Sequence, residues 1–278
     1  MSKSVIQLYP QSAEPVQLAG LYLARNLLTR RNNELPVVYA NFLTSMDGRI
    51  AIKHNEDEYY KLPAQLKSNE DFSLLLELYA HADCIITHGG YMRALNAGRL
   101  GNVLQIPNIP ETEYLFEWRK HEGLKPNPDV VIVSGSLDFP WHDSLDSSEQ
   151  SVHIASGGLA SEQRHQQWLQ RGHEVHRFGD TMHVDVDDLM SFLQANNYRS
   201  VYLMAGPDLL QSMIEKTYVQ HFFVTMSHQL LAGQSYKSLL NGSMLGNKGH
   251  LNLEHMYLDL GSSNSLSQCY MHFSFADN

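Results

Sequence analysis

Short apolar runs that stop abruptly at small polar residues alternate along this chain with segments whose apolar side chains recur every three or four positions. The first pattern suits buried strands and the second suits amphipathic helices. Pro36-Val37-Val38-Tyr39-Ala40 runs into Asn41-Phe42-Leu43-Thr44-Ser45-Met46-Asp47-Gly48, which predicts a buried strand over 37–43 that ends in Ser-x-Asp-Gly. Ser68-Asn69-Glu70-Asp71 has the make-up of a helix N-cap with acids in the first turn. Phe72, Leu75, Leu76 and Tyr79 then mark a core-facing stripe. Further strands are predicted at 84–87, 130–133, 152–155, 173–177, 201–204 and 219–226, with a terminal strand near 270–275. Helices are predicted over 18–31, over 162–170, from the cap Asp185 with Val186, Leu189, Met190 and Leu193 inward, and from Asp208. Pro107, Pro110, Pro126 and Pro128 make 101–128 read as a surface excursion with one helical piece around 115–121.

Strands that alternate with helices specify an α/β domain with a mostly parallel sheet, closed here by an antiparallel ending. No repeat, low-complexity tract or linker interrupts residues 1–278, which read as one domain with an N-terminal extension over 1–35. With 278 residues, 43% of them hydrophobic, the chain can build one large core or two small ones. A formal charge of −10 without a Lys/Arg cluster disfavours nucleic acid and anionic membranes. Any phosphate must then be held locally, by backbone N–H groups and a few arginines. Two cysteines, Cys84 and Cys269, fit a reducing compartment rather than a disulfide scaffold. No apolar run reaches the roughly 18 residues of a membrane span, so a soluble, cytoplasmic protein is expected. The fifteen histidines are scattered; His173 and His176 lie three apart, but His-Glu-x-x-His and cysteine pairs are absent, and no metal site is expected.

The candidate chemistry lies where predicted strands end. Thr87-His88-Gly89-Gly90, Ser134-Gly135-Ser136, Ser156-Gly157-Gly158 and Ala205-Gly206-Pro207 each place glycine after an apolar run. Glycine lets a ligand approach the backbone, and a helix that starts next offers free N–H groups to a phosphate. Such turns at one sheet edge suit a nucleotide or a sugar phosphate. The Rossmann Gly-x-Gly-x-x-Gly and the Walker A motif are absent, as is Gly-x-Ser-x-Gly. Asp47 stands alone as a carboxylate beside two hydroxyls; Asp-Gly is also a common turn pair, so the segment reads equally as a strand-to-turn junction. Phosphate turns, one carboxylate and no nucleophile suit hydride transfer, in which a cofactor carries the chemistry.

Residues 41–52 are similar to an Asn-x-x-x-Ser-Leu-Asp-Gly-x-Ile-Ala opening, with Met46 in the leucine place. Residues 72–86, Val131-Ile132-Val133-Ser134-Gly135-Ser136-Leu137, Tyr202–Leu210 and Leu230-Leu231-Ala232-Gly233 follow in the order of the same pattern. Over roughly 37–276 the chain thus resembles the pyrimidine reductases of riboflavin biosynthesis, in a stand-alone form without the zinc deaminase half. The resemblance implies a dihydrofolate-reductase-like fold and a homodimeric, NADPH-dependent oxidoreductase. Its substrate would be a ribosylaminopyrimidinone 5′-phosphate, a small phosphorylated pyrimidine. Carried onto matching positions, the cofactor would meet Thr44, Gly89, Gly90, Tyr91, Ser134, Ser136, Gly206, Pro207, Leu209 and Leu210. The substrate would meet Asn41, Ser45, Asp47 and Met204, with Asp47 as the catalytic residue that orients the reacting groups. The chain departs from the pattern at Met204, where the family has glutamate, and at Ala205, where it has glycine. Tyr91 replaces a threonine, and Ala94-Leu95-Asn96-Ala97 replaces a more polar stretch. Gly135 replaces an arginine that would meet the cofactor 2′-phosphate, leaving Arg93 or Arg99 as substitutes. These departures keep open a reductase with another small substrate and a silent nucleotide-binding module.

Overall fold

The computed structural model describes residues 3–29, 35–53, 59–146, 149–261 and 266–276. In chain order the first strands are β1 (Ser4–Tyr9), β2 (Val16–Gln17), β3 (Val37–Ser45) and β4 (Ala51–Ile52). Then come α1 (Asn69–His81), β5 (Cys84–His88), α2 (Gly89–Asn96), α3 (Glu113–His121), β6 (Asp129–Val133), β7 (Val152–Gly157), α4 (Glu162–Gln170) and β8 (Glu174–Phe178). The chain continues through α5 (Val186–Ala195), β9 (Ser200–Leu203), α6 (Pro207–Glu215), β10 (Val219–Ser227), β11 (Tyr236–Lys237), β12 (Leu251–Asp259) and β13 (Gln268–Phe275). No helix among the described residues is long and apolar enough to cross a membrane.

The chain forms two compact units. Residues 1–25, 38–77 and 207–278 make the first, and residues 26–37 and 78–206 the second. In the first, strands run in the order β2-β1-β12-β13-β10-β3. β3 and β10 are parallel, whereas β13 is antiparallel to both β10 and β12. In the second, β9-β5-β6-β7-β8 are all parallel. The strands inside this set are buried on both faces and read as short apolar runs, with Ile85, Ile86, Val130, Val131, Ile132, Ile154 and Val201 fully buried, whereas the last strand, β8, exposes Glu174 and Arg177. The mostly parallel sheet with antiparallel closing strands is therefore the class expected.

Local signals account for several elements. The Ser68 hydroxyl accepts from the Asp71 N–H at 3.0 Å and caps α1, and Asp185 accepts from the N–H groups of Asp187 and Asp188 to cap α5. Val186, Leu189, Met190 and Leu193 are all buried, and α4 spans the residues expected.

Other expectations need correction. Residues 18–25 form turns rather than a helix, and 30–31 lie outside the described residues. The cause is distant: Glu77 takes the N–H groups of Gly20, Tyr22 and Leu23 at 2.5, 2.7 and 3.3 Å, so these do not serve a helical ladder. In α1, Leu74, Glu77, Leu78 and His81 are buried, while Phe72, expected inward, is exposed.

The 101–128 segment is no mere surface excursion, since Leu104, Ile106 and Leu115 are core residues. Arg119, 1% exposed, donates from Nη1 to the carbonyls of Tyr79, Ala80 and Ala82 and from Nε to that of Lys125. It satisfies carbonyls that the C-terminus of α1 leaves open. β1 and β12 were not expected at all. β12 mixes Asn252, Glu254, His255 and Asp259 with its apolar residues and offers no long apolar run.

Candidate functional site

In the first unit, β3 delivers Thr44 and Ser45, both buried, to the turn at Gly48, whose φ of +77° lies in the left-handed region open to glycine. The Asp47 carboxylate is enclosed by donors. Oδ1 accepts from the Ser45 hydroxyl at 2.5 Å and the Leu231 N–H at 3.2 Å; Oδ2 accepts from the Ala232 N–H at 2.9 Å and from the Arg49 guanidinium. The Ser45 bond, the two backbone bonds and the Arg49 charge outweigh desolvation and hold the carboxyl down at about 2. Asp47 is thus an ionised clamp that ties the end of β3 to residues 231–232. Arg49, which the sequence reading passed over, also lies 4.4 Å over the Tyr236 ring. Its position two residues after the acid was the available signal. Asn41 Oδ1 is buried and finds no hydrogen bond among the described residues.

The first unit holds a second carboxyl of interest. Asp71, in the first turn of α1, is hydrogen bonded to Thr225 of β10, and its Oδ1 is buried without a hydrogen-bond partner among the described residues. Burial drives its pKa up to about 6 against that one hydrogen bond. Its neighbour Tyr270 is bonded to Asp259 and Gln268. In the sequence Asp71 looked only like a first-turn acid.

In the second unit, β5, β6, β7 and β9 run parallel, so their glycine-bearing ends share one edge. The glycines there are not equivalent. A Cβ on Gly135 would stand 2.7 Å from the Met182 carbonyl oxygen, and on Gly157 or Gly158 it would overlap the carbonyls of Thr181 and His183 or of Gly179. These positions admit the chain's own 179–183 backbone rather than a ligand. Gly89 packs against Ser134 and Phe139, and Gly90 against the His88 ring. Burial, with Arg93 nearby, keeps the His88 imidazole below its usual range and so neutral. Gly206 alone of these faces open space.

The other expected contacts sort clearly. Tyr91 is buried and its hydroxyl is spent internally: it donates to the Gly101 carbonyl at 3.0 Å and accepts from the Val103 N–H at 2.8 Å. It anchors the 101–103 segment. Ser134 accepts from the Leu137 N–H and Ser136 from the Asp138 N–H, so both hydroxyls shape the turn after β6. The Met204 sulfur accepts from the Tyr79 hydroxyl at 2.7 Å. In the first unit, Pro207 opens α6 and Leu209 is half-buried, whereas Leu210 is fully buried and offers a ligand no side chain. Two guanidinium groups meet the turn after β6. Arg93 donates to the Asp138 carbonyl at 2.5 Å, and Arg164 donates to the Ser136 carbonyl at 3.1 Å and pairs with Asp138. Beside them opens a cleft of about 440 Å³ lined by Phe139, Trp168, Arg164 and Arg171.

The fold is thus of the α/β class, with glycine turns along one parallel edge and a clamped acid at a strand end. A family model described as the RibD C-terminal domain matches residues 36–259, and the chain belongs to that family. Its expected fold class stands with that membership. No curated protein sequence matches. Among solved structures, the chain is similar to a pyrimidine reductase-like protein of Corynebacterium diphtheriae, at 19% identity and a TM-score of 0.66, covering 95% of this chain and all of that one. It is also similar to RibD of Acinetobacter baumannii, at 16% identity and a TM-score of 0.57, covering 87% of this chain but 59% of that one. A third is the riboflavin biosynthesis reductase Rib7 of Saccharomyces cerevisiae, at 16% identity and a TM-score of 0.50, covering 87% and 90%.

Proposed function

We propose that this protein is an NADPH-dependent pyrimidine reductase of riboflavin biosynthesis, acting on a ribosylaminopyrimidinone 5′-phosphate. Membership of the RibD C-terminal domain family supports the reductase class. The observation that carries the choice of cofactor is the pair of guanidinium groups, Arg93 and Arg164, at the turn after β6. They supply positive charge beside Gly135, where the expected arginine is missing, and guanidinium is the side chain best matched to phosphate. The second unit's residues fit a nucleotide: Gly206 is open to close approach, and the aromatic-lined cleft with Arg164 and Arg171 suits an adenosine 2′-phosphate.

NADPH supplies a hydride when bound. The chain's own residues bind and orient. Asp47, ionised at neutral pH, orients Arg49 and the 231–232 backbone; it has no proton to give. A proton therefore comes from water or from another group.

A second reading, a reductase with a different small substrate, is favoured by one observation. The position that carries a glutamate in the resemblance is a methionine engaged by Tyr79. Titration with NADPH and NADH, followed by turnover on the pathway substrate, tests both. Saturable NADPH binding that weakens about 10-fold in Arg164→Ala is expected, since a hydrogen bond between charged groups contributes about 1.5–3 kcal/mol and about 1.4 kcal/mol is tenfold. No binding at millimolar NADPH removes both reductase readings and leaves the catalytically silent module. Binding without turnover of the pathway substrate selects the second reading.

A further inference from the structure

Across the far edge of the second unit, three side chains from two strands converge on one point. β7 and β8 are parallel neighbours, with His153 opposite Glu174 and Ala155 opposite His176. Because side chains alternate along a strand, His153, Glu174 and His176 share one face of the sheet. Their donor atoms nearly touch. His153 Nδ1 lies 3.1 Å from Glu174 Oε2 and 3.4 Å from His176 Nε2, and His176 Nε2 lies 3.7 Å from the same carboxylate oxygen. No residue of this cluster takes part in the proposed reduction.

From these distances and this ligand set we infer a binding site for a divalent transition-metal ion of the zinc class, held by His153, Glu174 and His176. Four ligands set tetrahedrally about zinc at roughly 2.0–2.1 Å stand roughly 3.3–3.4 Å from one another, and the three separations here average close to that edge. Two imidazoles and one carboxylate are a zinc-type ligand set, and soft thiolates are not required. The surroundings are asymmetric in a way that suits an ion. The two imidazoles are largely shielded, with side-chain exposures of 12% and 27%, whereas Glu174 is 70% exposed and leaves a solvent-facing fourth position. On the covered side the Phe192 ring stands 5.1 Å from His153 and 4.5 Å from His176, and the Phe178 ring 5.6 Å from Phe192. Such an apolar wall holds the rings in place and keeps water from one flank. The ion would staple β8, the last strand of this parallel set, to β7. A site with one open position could also serve chemistry, but the geometry gives it first a clamping role.

The experiment uses the full chain, stripped with a chelator and then titrated with zinc chloride by calorimetry. Cobalt(II), whose visible absorption reports ligand geometry, is titrated in parallel. One zinc per chain is expected, a melting temperature raised by zinc, and a cobalt spectrum of tetrahedral intensity. Glu174→Lys puts a cation on the site from an exposed position and should weaken zinc by roughly 100-fold or more, beyond the 10–100-fold that outer-shell partners cost. His176→Asn should do the same. If His176→Asn does not fold, Glu174→Lys decides alone, with its fold checked by circular dichroism. An isotherm unchanged in Glu174→Lys, or no binding at tenfold excess zinc, overturns the inference and leaves a hydrogen-bonded histidine pair.

Discussion

The hydroxyl of Ser45 donates to the carboxylate of Asp47 at 2.5 Å, and this bond sets what Asp47 can do. With Leu231, Ala232 and Arg49 completing the set, every strong acceptor direction on the acid is taken. A carboxylate so enclosed holds other groups in place, and placement errors near 1 Å are enough to slow a reaction by two orders of magnitude.

Asp47→Asn should therefore keep the fold and lose turnover by about 10- to 100-fold. The amide nitrogen must face either the Ser45–Leu231 pair or the Ala232–Arg49 pair, and donors then oppose donors. Amide hydrogen exchange at Leu231 and Ala232 should accelerate. The sign of the pH effect is fixed. The folded carboxyl sits at about 2 against an ordinary 3.8, so its stabilisation is whole above 3.8 and lost as pH falls through 2. Acid-unfolding curves of the Asn variant should lack that loss. Activity between about pH 5 and 8 should show no limb from Asp47. Unchanged turnover and unchanged exchange would reduce Asp47 to an ordinary turn residue.

Tyr91→Phe separates an internal anchor from a cofactor contact. The variant strands the Val103 N–H and the Gly101 carbonyl, both bonded to the hydroxyl in the native protein. A cost of about 1–3 kcal/mol in chemical denaturation is expected, with NADPH affinity within a factor of about two, below 0.5 kcal/mol. Lost affinity at unchanged stability would return Tyr91 to the binding site.

The parts of the fold that were legible in the sequence are those governed by local rules. Residues 186–195 wrote their own helix, with a capping acid and an inward stripe of Val186, Leu189, Met190 and Leu193. The buried parallel strands appeared as short apolar runs because both their faces are covered. What could not be read depends on distant partners. Residues 18–25 have a helix-like pattern, yet a carboxylate more than 50 residues away claims their N–H groups. β12 carries too many polar side chains to stand out. Within the site, the segment around Asp47 was visible, but its clamp closes with residues 184 and 185 positions onward. The glycine turns were visible too, whereas their differing duties follow from where residues 179–183 lie.

Asp71 makes stability fall as pH rises. Its folded pKa of about 6 exceeds the ordinary 3.8, so the native state holds the proton more tightly than the unfolded chain. The sign follows: stability is highest below 3.8, declines between 3.8 and 6, and carries the whole cost above 6. That cost is on the order of 2–3 kcal/mol at 1.4 kcal/mol per unit. Asp71→Asn keeps an acceptor for Thr225 and removes the titration. It should be the more stable protein at pH 7 and gain nothing at pH 4, measured by urea midpoints at both. A difference that does not vary with pH would mean that Asp71 is not shielded as the structure places it.

Two glycine-to-alanine substitutions on the same sheet edge should behave oppositely. Gly157→Ala drives a methyl group into the Thr181 and His183 carbonyls, so the 179–183 backbone has to move. Overpacking of this kind costs about 1–3 kcal/mol, and the loss should appear without any ligand present. Gly206 has nothing within 4 Å of its would-be Cβ and does not lie in the left-handed region, so Gly206→Ala should leave the melting temperature unmoved. Its new methyl group would occupy the space into which a phosphate must come to reach the backbone N–H groups. NADPH affinity should then drop by about 10-fold or more, the equivalent of 1.4 kcal/mol. Calorimetric titration beside thermal melts of both variants checks the pair. If Gly206→Ala binds NADPH as the native protein does, the turn after β9 is no part of the nucleotide site, and the cofactor reading rests on the Arg93 and Arg164 turn alone.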